Sequence, residues 1–169
     1  MAYSMVSYQL SYLKANYPAI FYTELLSSVI GDERKTKLYI DECRRLNVLL
    51  LGPNLDESEP LYRLQGEKIR LPLTLIKGIS NQIANLIKKE RDDNGRYTSF
   101  YQAIVRLRAA GLKKIHFERL IDAGAFDYFG QNRKSYLASL DEALQFASIV
   151  TLKDTLENIR FDFSLVSEP

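Results

Sequence analysis

At 169 residues the chain has room for one or two domains. Its apolar content of 46% and charged content of 26% supply a packed core and exclude a disordered chain. The net charge of +2 points to no partner class by itself. No apolar run reaches the length of a membrane span and the N-terminus is not a signal peptide, so no membrane partner is expected. The single cysteine, Cys43, has no internal disulfide partner and no surrounding metal ligands, which fits a reducing, cytoplasmic setting.

In chain order, Tyr3, Val6, Leu10 and Leu13, flanked by Met5, Tyr8 and Tyr12, recur at helical spacing. They predict a helix largely covered by other structure. Stacked tyrosines can serve nucleotides, but amphipathic tyrosines in a helical core or interface explain the run more simply. Pro18 starts a second helix to Ile30, closed by Gly31. Asp32 caps a third, Glu33 to Asn47, with Leu38, Ile40, Cys43 and Leu46 on one side. Val48 to Leu51 is an apolar run that reads as a buried strand, stopped by Gly52-Pro53-Asn54. Asp56 to Pro60 is an acidic loop. Leu61–Leu64, a turn at Gln65-Gly66 and Lys68–Leu71 predict a small β-hairpin. The joint between Asn47 and Leu71 separates two subdomains.

The stretch from Pro72 to Arg91 reads P-L-T-L-I-K-G-I-S-N-Q-I-A-N-L-I-K-K-E-R. Pro72 suits the first turn of a short helix. Gly78 can take the left-handed conformation that ends it. Ser80 or Asn81 can cap the next helix, whose buried stripe is Ile79, Ile83, Leu86 and Ile87. Helix, three-residue turn, helix is the plan of a helix-hairpin-helix DNA-binding element. The turn leaves the first N–H groups of the second helix open at the positive end of its dipole, where a phosphate fits. Ser80 stands where the second glycine of such a turn usually lies. An ordinary αα-corner has the same spacing.

Charge follows the same stretch. Residues 1–66 carry 7 basic and 8 acidic side chains, residues 67–134 carry 14 and 7, and residues 135–169 carry 2 and 6. The middle segment is therefore at +7 and the last at −4. A basic patch is the footprint of a phosphate-backbone binder, and also of a solvated helix surface. Downstream, Asp92-Asp93-Asn94-Gly95 predicts a break. Ser99 or Thr98 caps a helix from Phe100 to Ala110, with Arg96, Arg106 and Arg108 on polar positions. Gly111 ends it. Lys113 to Ala123 forms another helix with Ile115, Leu120 and Ile121 inward, and the turn at Gly111–Lys114 is a candidate second hairpin. His116 is a surface or capping residue. Gly124 to Asp127 is a stop with a buried aromatic. Asn132 caps a helix from Arg133 to about Val150, and Asn158 to Phe163 is weakly patterned.

Four stretches carry a family resemblance. L-S-Y-L-K-A-N-Y-P-A-I-F-Y-T-E-L-L-S-S-V-I-G, Y-I-D-E-C-R-R-L-N-V-L-L-L-G-P-N-L-D-E-S-E, I-R-L-P-L-T-L-I-K-G-I-S and F-E-R-L-I-D-A-G-A-F-D-Y-F-G-Q-N-R-K resemble, in order and spacing over about residues 3–148, the alpha subunit of the bacterial C-family replicative DNA polymerases, DNA polymerase III. The resemblance implies a mainly α fold with a small β-hairpin. Residues 1–47 would be the end of the fingers domain, residues 48–150 a helix-hairpin-helix module, and residues 151–169 a tail. It implies duplex primer-template DNA, the remaining polymerase domains and the sliding clamp as partners. The family's catalytic aspartates, which bind magnesium, have no counterpart in this sequence. The chain then reads as a fragment with no catalytic residue, no metal site and no cofactor of its own, magnesium belonging to the parent polymerase. No glutamine-containing clamp-binding peptide is evident between Thr151 and Pro169, although Ile159 to Phe163 is apolar enough for a partner peptide.

The expected DNA-binding residues are Lys77, Gly78, Ile79, Ser80, Asn81, Lys88 and Lys89, with Lys113 and Lys114 from the second turn. They would hold backbone phosphate without reading bases. The rival reading is a protein-interaction module whose basic face packs on another domain and whose acidic last helix docks a partner. An independent enzyme finds no support in any paired-carboxylate, Cys–His or metal spacing.

Overall fold

The computed structural model describes residues 2–157, with side chains over residues 3–151. Seven helices are described: α1 (Ala2–Asn16), α2 (Pro18–Ser28), α3 (Glu33–Arg45), α4 (Asn81–Asn94), α5 (Phe100–Ala109), α6 (Lys114–Asp122) and α7 (Arg133–Glu157). Three short strands, β1 (Leu50–Leu51), β2 (Arg63–Gln65) and β3 (Lys68–Arg70), form one sheet. The expected mainly α fold with a small β-hairpin is observed. The expected segment at Asn158 to Phe163, and the tail as a clamp peptide, lie outside the described residues.

The chain divides into two units. Residues 1–52 and 61–72 make the first, and residues 53–60 and 73–169 the second. In the first, Pro18 opens α2 and the Asp32 carboxylate accepts the Lys35 N–H (3.1 Å) to cap α3. β2 and β3 are the predicted antiparallel hairpin, with Leu64 opposite Ile69. The apolar run at Val48 contributes only Leu50 and Leu51 as strand, paired parallel to β3 so that the order is β1-β3-β2. Tyr22, Leu26, Cys43, Val48, Tyr62 and Ile69 form the core. The Tyr22 hydroxyl donates to Glu42 (2.5 Å). Burial, with Glu42 beside it, pushes the Cys43 thiol up to about 11.

The first helix departs from expectation. Tyr3, Met5, Val6, Tyr8, Leu10 and Tyr12 are all exposed, Tyr3 at 91%. Among the described residues, nothing covers this face: α1 packs mainly on α2, and its Lys14 reaches Glu42 of α3 (3.8 Å).

In the second unit, Ser80, Ser99 and Asn132 cap α4, α5 and α7, each side-chain oxygen accepting an N–H three residues on. The predicted break at Asp92 lies inside α4. The helix continues to Asn94, with Asp92 paired to Lys88 one turn back (2.5 Å), and Gly95 ends it. Pro72 does not open an α-helix. Leu71 still donates to Leu51 in sheet fashion (2.9 Å), which leaves only Leu73–Leu75 for a single 3₁₀ turn before Gly78. Ile115, expected inward, is 46% exposed, and Phe117 is buried in its stead. The core centres on Phe100, stacked on Tyr136 at 4.8 Å and edge-on to Phe126 at 5.5 Å.

The segment predicted as an acidic loop is a tightly bonded clasp. Asn54 Oδ1 accepts the N–H groups of Asp56 and Glu57 (2.8 and 3.0 Å), and the Asn54 N–H donates to Ser58 Oγ (2.9 Å). Leu55 is fully buried and its N–H donates to the Ala125 carbonyl (3.0 Å). Asp56 accepts the Tyr97 N–H (3.0 Å), and Glu57 pairs with Arg96 (2.9 Å). At the centre is Arg91, on the buried side of α4 and 7% exposed. Its guanidinium donates to the carbonyls of Leu55 (3.2 Å) and Ser58 (3.0 Å) and to the Glu59 carboxylate (3.0 Å).

Arg91→Met removes all three bonds and takes a charged donor from two carbonyls and a half-buried carboxylate. It should destabilise the second unit by on the order of 3 kcal/mol. Arg91→Lys should recover little of this, because an ammonium lacks the fork that reaches three acceptors. Urea unfolding followed by far-ultraviolet circular dichroism checks both. For Cys43, whose thiol is raised to about 11, the thiolate is absent at pH 8. An aromatic disulfide reagent should leave the native chain unmodified there and react with one thiol after unfolding.

Candidate nucleic-acid interface

The first hairpin runs from the 3₁₀ turn through Lys77-Gly78-Ile79 into α4. Ile76 donates to the Leu73 carbonyl (3.0 Å) and Ile79 to the Ile76 carbonyl (2.9 Å), which folds the chain back on itself. Gly78 has φ of +93°, a conformation costly for any side chain with a Cβ. Ile79 is buried and anchors the turn, while Lys77, Gly78 and Ser80 face solvent. The Ile79 N–H is therefore already committed, and Ser80 Oγ takes the N–H of Ile83 (3.3 Å). Among the described residues, the N–H groups of Gly78, Ser80, Asn81 and Gln82 meet no protein acceptor. They stand at the positive end of a 14-residue helix.

A second turn shares its left-handed glycine followed by a buried apolar residue. Leu112 donates to the Leu107 carbonyl (3.0 Å) and Gly111 to Arg108 (3.1 Å), closing α5 with Gly111 at φ of +109°. Leu112 is buried as Ile79 is, and α6 begins two residues later. The Arg108 guanidinium donates to the Leu112 carbonyl (3.0 Å). His116 is the predicted cap: its Nδ1 accepts the Lys113 N–H (3.0 Å), which fixes a neutral imidazole. Burial and then the Lys113 charge hold its pKa below the ordinary value.

The cations separate into two groups. Lys88 lies two turns into α4 and is paired with Asp92 (2.5 Å) and Glu59 (3.3 Å), which raises its pKa. Lys114 is paired with Asp141 (2.6 Å) and is raised in the same way. Lys77, Lys89 and Lys113 are exposed and, among the described residues, have no carboxylate partner. Lys77 and Lys113 each sit beside a turn whose following helix has open N–H groups. Arg106, read from sequence as a polar-face residue, is internal: it grips Glu90 (2.8 and 3.0 Å), lies over the Tyr97 ring at 4.4 Å and donates to the Gly95 carbonyl (2.7 Å). Sequence reasoning missed Arg119. Its side chain lies along Gly78, with Cγ 3.4 Å and Nε 3.7 Å from the point where a Cβ would sit. The signal lay in long-range packing, since 41 positions separate the two residues in sequence, 119 minus 78.

The arrangement offers two solvent-facing turns, each with open backbone donors and an unpaired cation. Among the described residues, no group of three or more His, Cys, Asp or Glu that could hold a metal ion gathers. No described helix is long and apolar enough to cross a membrane.

Comparison with known proteins agrees with this geometry. The chain is 38% identical over 156 residues to DNA polymerase III subunit alpha of Staphylococcus epidermidis, covering 92% of this chain and 15% of that protein. It is 37% identical over 144 residues to DNA polymerase III subunit alpha of Staphylococcus aureus, covering 85% of this chain and 14% of that protein. The chain thus spans about 15% of the length of the curated relatives it matches. A family described as the helix-hairpin-helix motif matches residues 47–136, which take in both turns. With more than half of its length in that match, the chain belongs to the helix-hairpin-helix family.

Proposed function

We propose that the chain serves as a non-catalytic part of a replicative DNA polymerase and holds duplex primer-template DNA by its phosphates. The observation that carries this reading is the hairpin at Lys77–Ser80: open N–H groups, a positive helix end and an unpaired lysine on one exposed turn of a helix-hairpin-helix chain. Gly78, Ser80 and Asn81 supply backbone donors and Lys77 supplies charge, with Lys89 further along the helix. Ile79 holds the turn in the core. Lys113 and the N–H groups of Lys114 and Ile115 act in the same way at the second turn. Lys88 contributes long-range field from within its ion pairs. None of these groups reads a base, so binding is independent of sequence.

The similarity to DNA polymerase III subunit alpha supports the setting. In this reading residues 1–47 are the end of the fingers and residues 48–150 the duplex-tracking module. The remaining polymerase domains are partners, the sliding clamp is a further one, and the cytoplasm is the location. Magnesium belongs to catalytic carboxylates elsewhere in the polymerase, and no step here passes through it. Affinity for this chain alone is set at roughly 10⁻⁴–10⁻⁶ M at physiological salt, as for other non-specific binders. A second role, docking of other polymerase domains, is favoured by the uncovered apolar face of α1.

The test is fluorescence anisotropy of a labelled primer-template duplex at about 50 and about 200 mM salt. Lys77→Glu and Lys113→Glu should each weaken binding several-fold and flatten its salt dependence. Lys37→Glu, the same charge change on an exposed position of α3, should leave the salt slope in place. Equal effects from all three would reduce the interface to net charge, and absence of binding by the folded chain would favour the docking role.

A further inference from the structure

We propose that Arg119, from the middle of α6, is a phosphate-contacting residue of the first hairpin, completing from a distant helix the site that Lys77 and Gly78 begin. This rests on the phosphate-binding reading above and adds a residue that no part of the hairpin's own sequence indicates.

The arginines of the second unit supply the contrast. Arg91 is bonded to Glu59, Arg96 to Glu57, Arg106 to Glu90 and Arg133 to Asp127. The Arg108 guanidinium donates to a carbonyl. Arg119 is the sixth among the described residues. It is exposed, and among the described residues its guanidinium has neither a carboxylate nor a carbonyl acceptor. Its position is nonetheless defined, because the Cγ, Cδ and Nε atoms run along the bare face of Gly78, 3.4 to 3.9 Å from where a Cβ would project. A flexible side chain is thus laid over the one residue of the turn that presents no side chain. A guanidinium has five donors in a planar fork, matched to phosphate oxygens. The nearest donors of other kinds at that turn are the open N–H groups of Gly78 and Ser80, which suit the same anion. Lys77, also without a carboxylate, stands next to Gly78 in sequence. Among the described residues neither Lys77 nor Arg119 has an acid partner, so both charges stay available to an anion at this turn.

The experiment compares Arg119→Gln, Arg119→Lys and Lys77→Gln with the parent 169-residue chain, on a labelled duplex across a salt series, with thermal melting by circular dichroism in parallel. Arg119→Gln should melt with the parent, lose on the order of fivefold to tenfold in affinity at low salt, and lower the slope of log K against log salt by about one. Arg119→Lys should keep the slope and lose part of the affinity, since the charge remains and the fork does not. If Arg119→Gln fails to fold, the Arg119→Lys comparison still decides: unchanged affinity would overturn the proposal. Parent-like affinity and slope in Arg119→Gln, with Lys77→Gln weakened, would remove Arg119 from the site and leave the hairpin reading intact. No effect from either substitution on a chain that binds duplex would overturn both.

Discussion

The second unit hangs on one buried cation. Arg91 holds two main-chain carbonyls and a carboxylate of a segment more than thirty positions earlier, by hydrogen bonds of 3.0 to 3.2 Å. A guanidinium at 7% exposure is tolerable only if it is hydrogen-bonded and its charge is matched. The clasp at residues 53–60 does this, and so the run Pro53-Asn54-Leu55-Asp56-Glu57-Ser58-Glu59 has a task at nearly every position. Asn54 turns the chain, Leu55 fills the core, Asp56 holds the start of the segment before α5, and Glu59 neutralises Arg91. The same helix carries the hairpin at its other end. Fixing the last turn of α4 to the clasp fixes the direction in which the open N–H groups at its start point.

Charge in this unit is sorted by function. The +7 of residues 67–134 is not spread evenly over a solvated surface. Arg91, Arg96, Arg106 and Arg133 are structural, tied to acids and carbonyls within the fold. Lys88 and Lys114 are neutralised locally. Among the described residues, what remains without an acid partner near the two turns is a small set: Lys77, Lys113 and Arg119, with Arg108 held only by the Leu112 carbonyl. Exposed ion pairs contribute little to stability, so the chief effect of the Lys88 and Lys114 pairings is to decide which positive charges stay available.

Much of this was legible in sequence. The hairpin was readable because Gly78, Ser80 and the apolar stripe of α4 each have a local physical reason to stand where they do. Caps at Asp32, Ser80, Ser99 and Asn132 followed from the same local chemistry. What was not legible depended on contacts between distant residues. An acidic run reads as solvated loop until the buried arginine that consumes it is known. Arg119 is an ordinary polar-face residue of α6 until packing lays it on Gly78. The tyrosine-rich α1 failed for the opposite reason: its pattern demands a covering surface, and among the described residues none is supplied.

The path of the backbone has a consequence for dissection. The chain passes from one unit to the other after Gly52, after Pro60 and after Pro72, so neither unit is a continuous stretch. A proline flanks each passage, Pro53, Pro60 and Pro72, and its ring limits the backbone there to few conformations. Cutting the gene at any one of these points leaves an incomplete product. A piece beginning at Leu73 keeps both hairpins and Arg91 yet discards every acceptor that Arg91 bonds in the clasp, while a piece ending at Gly52 strands β1 without β3. Domain boundaries drawn as single positions along this sequence therefore divide a folded unit, and a shortened chain that keeps the second unit whole has to begin no later than Pro53.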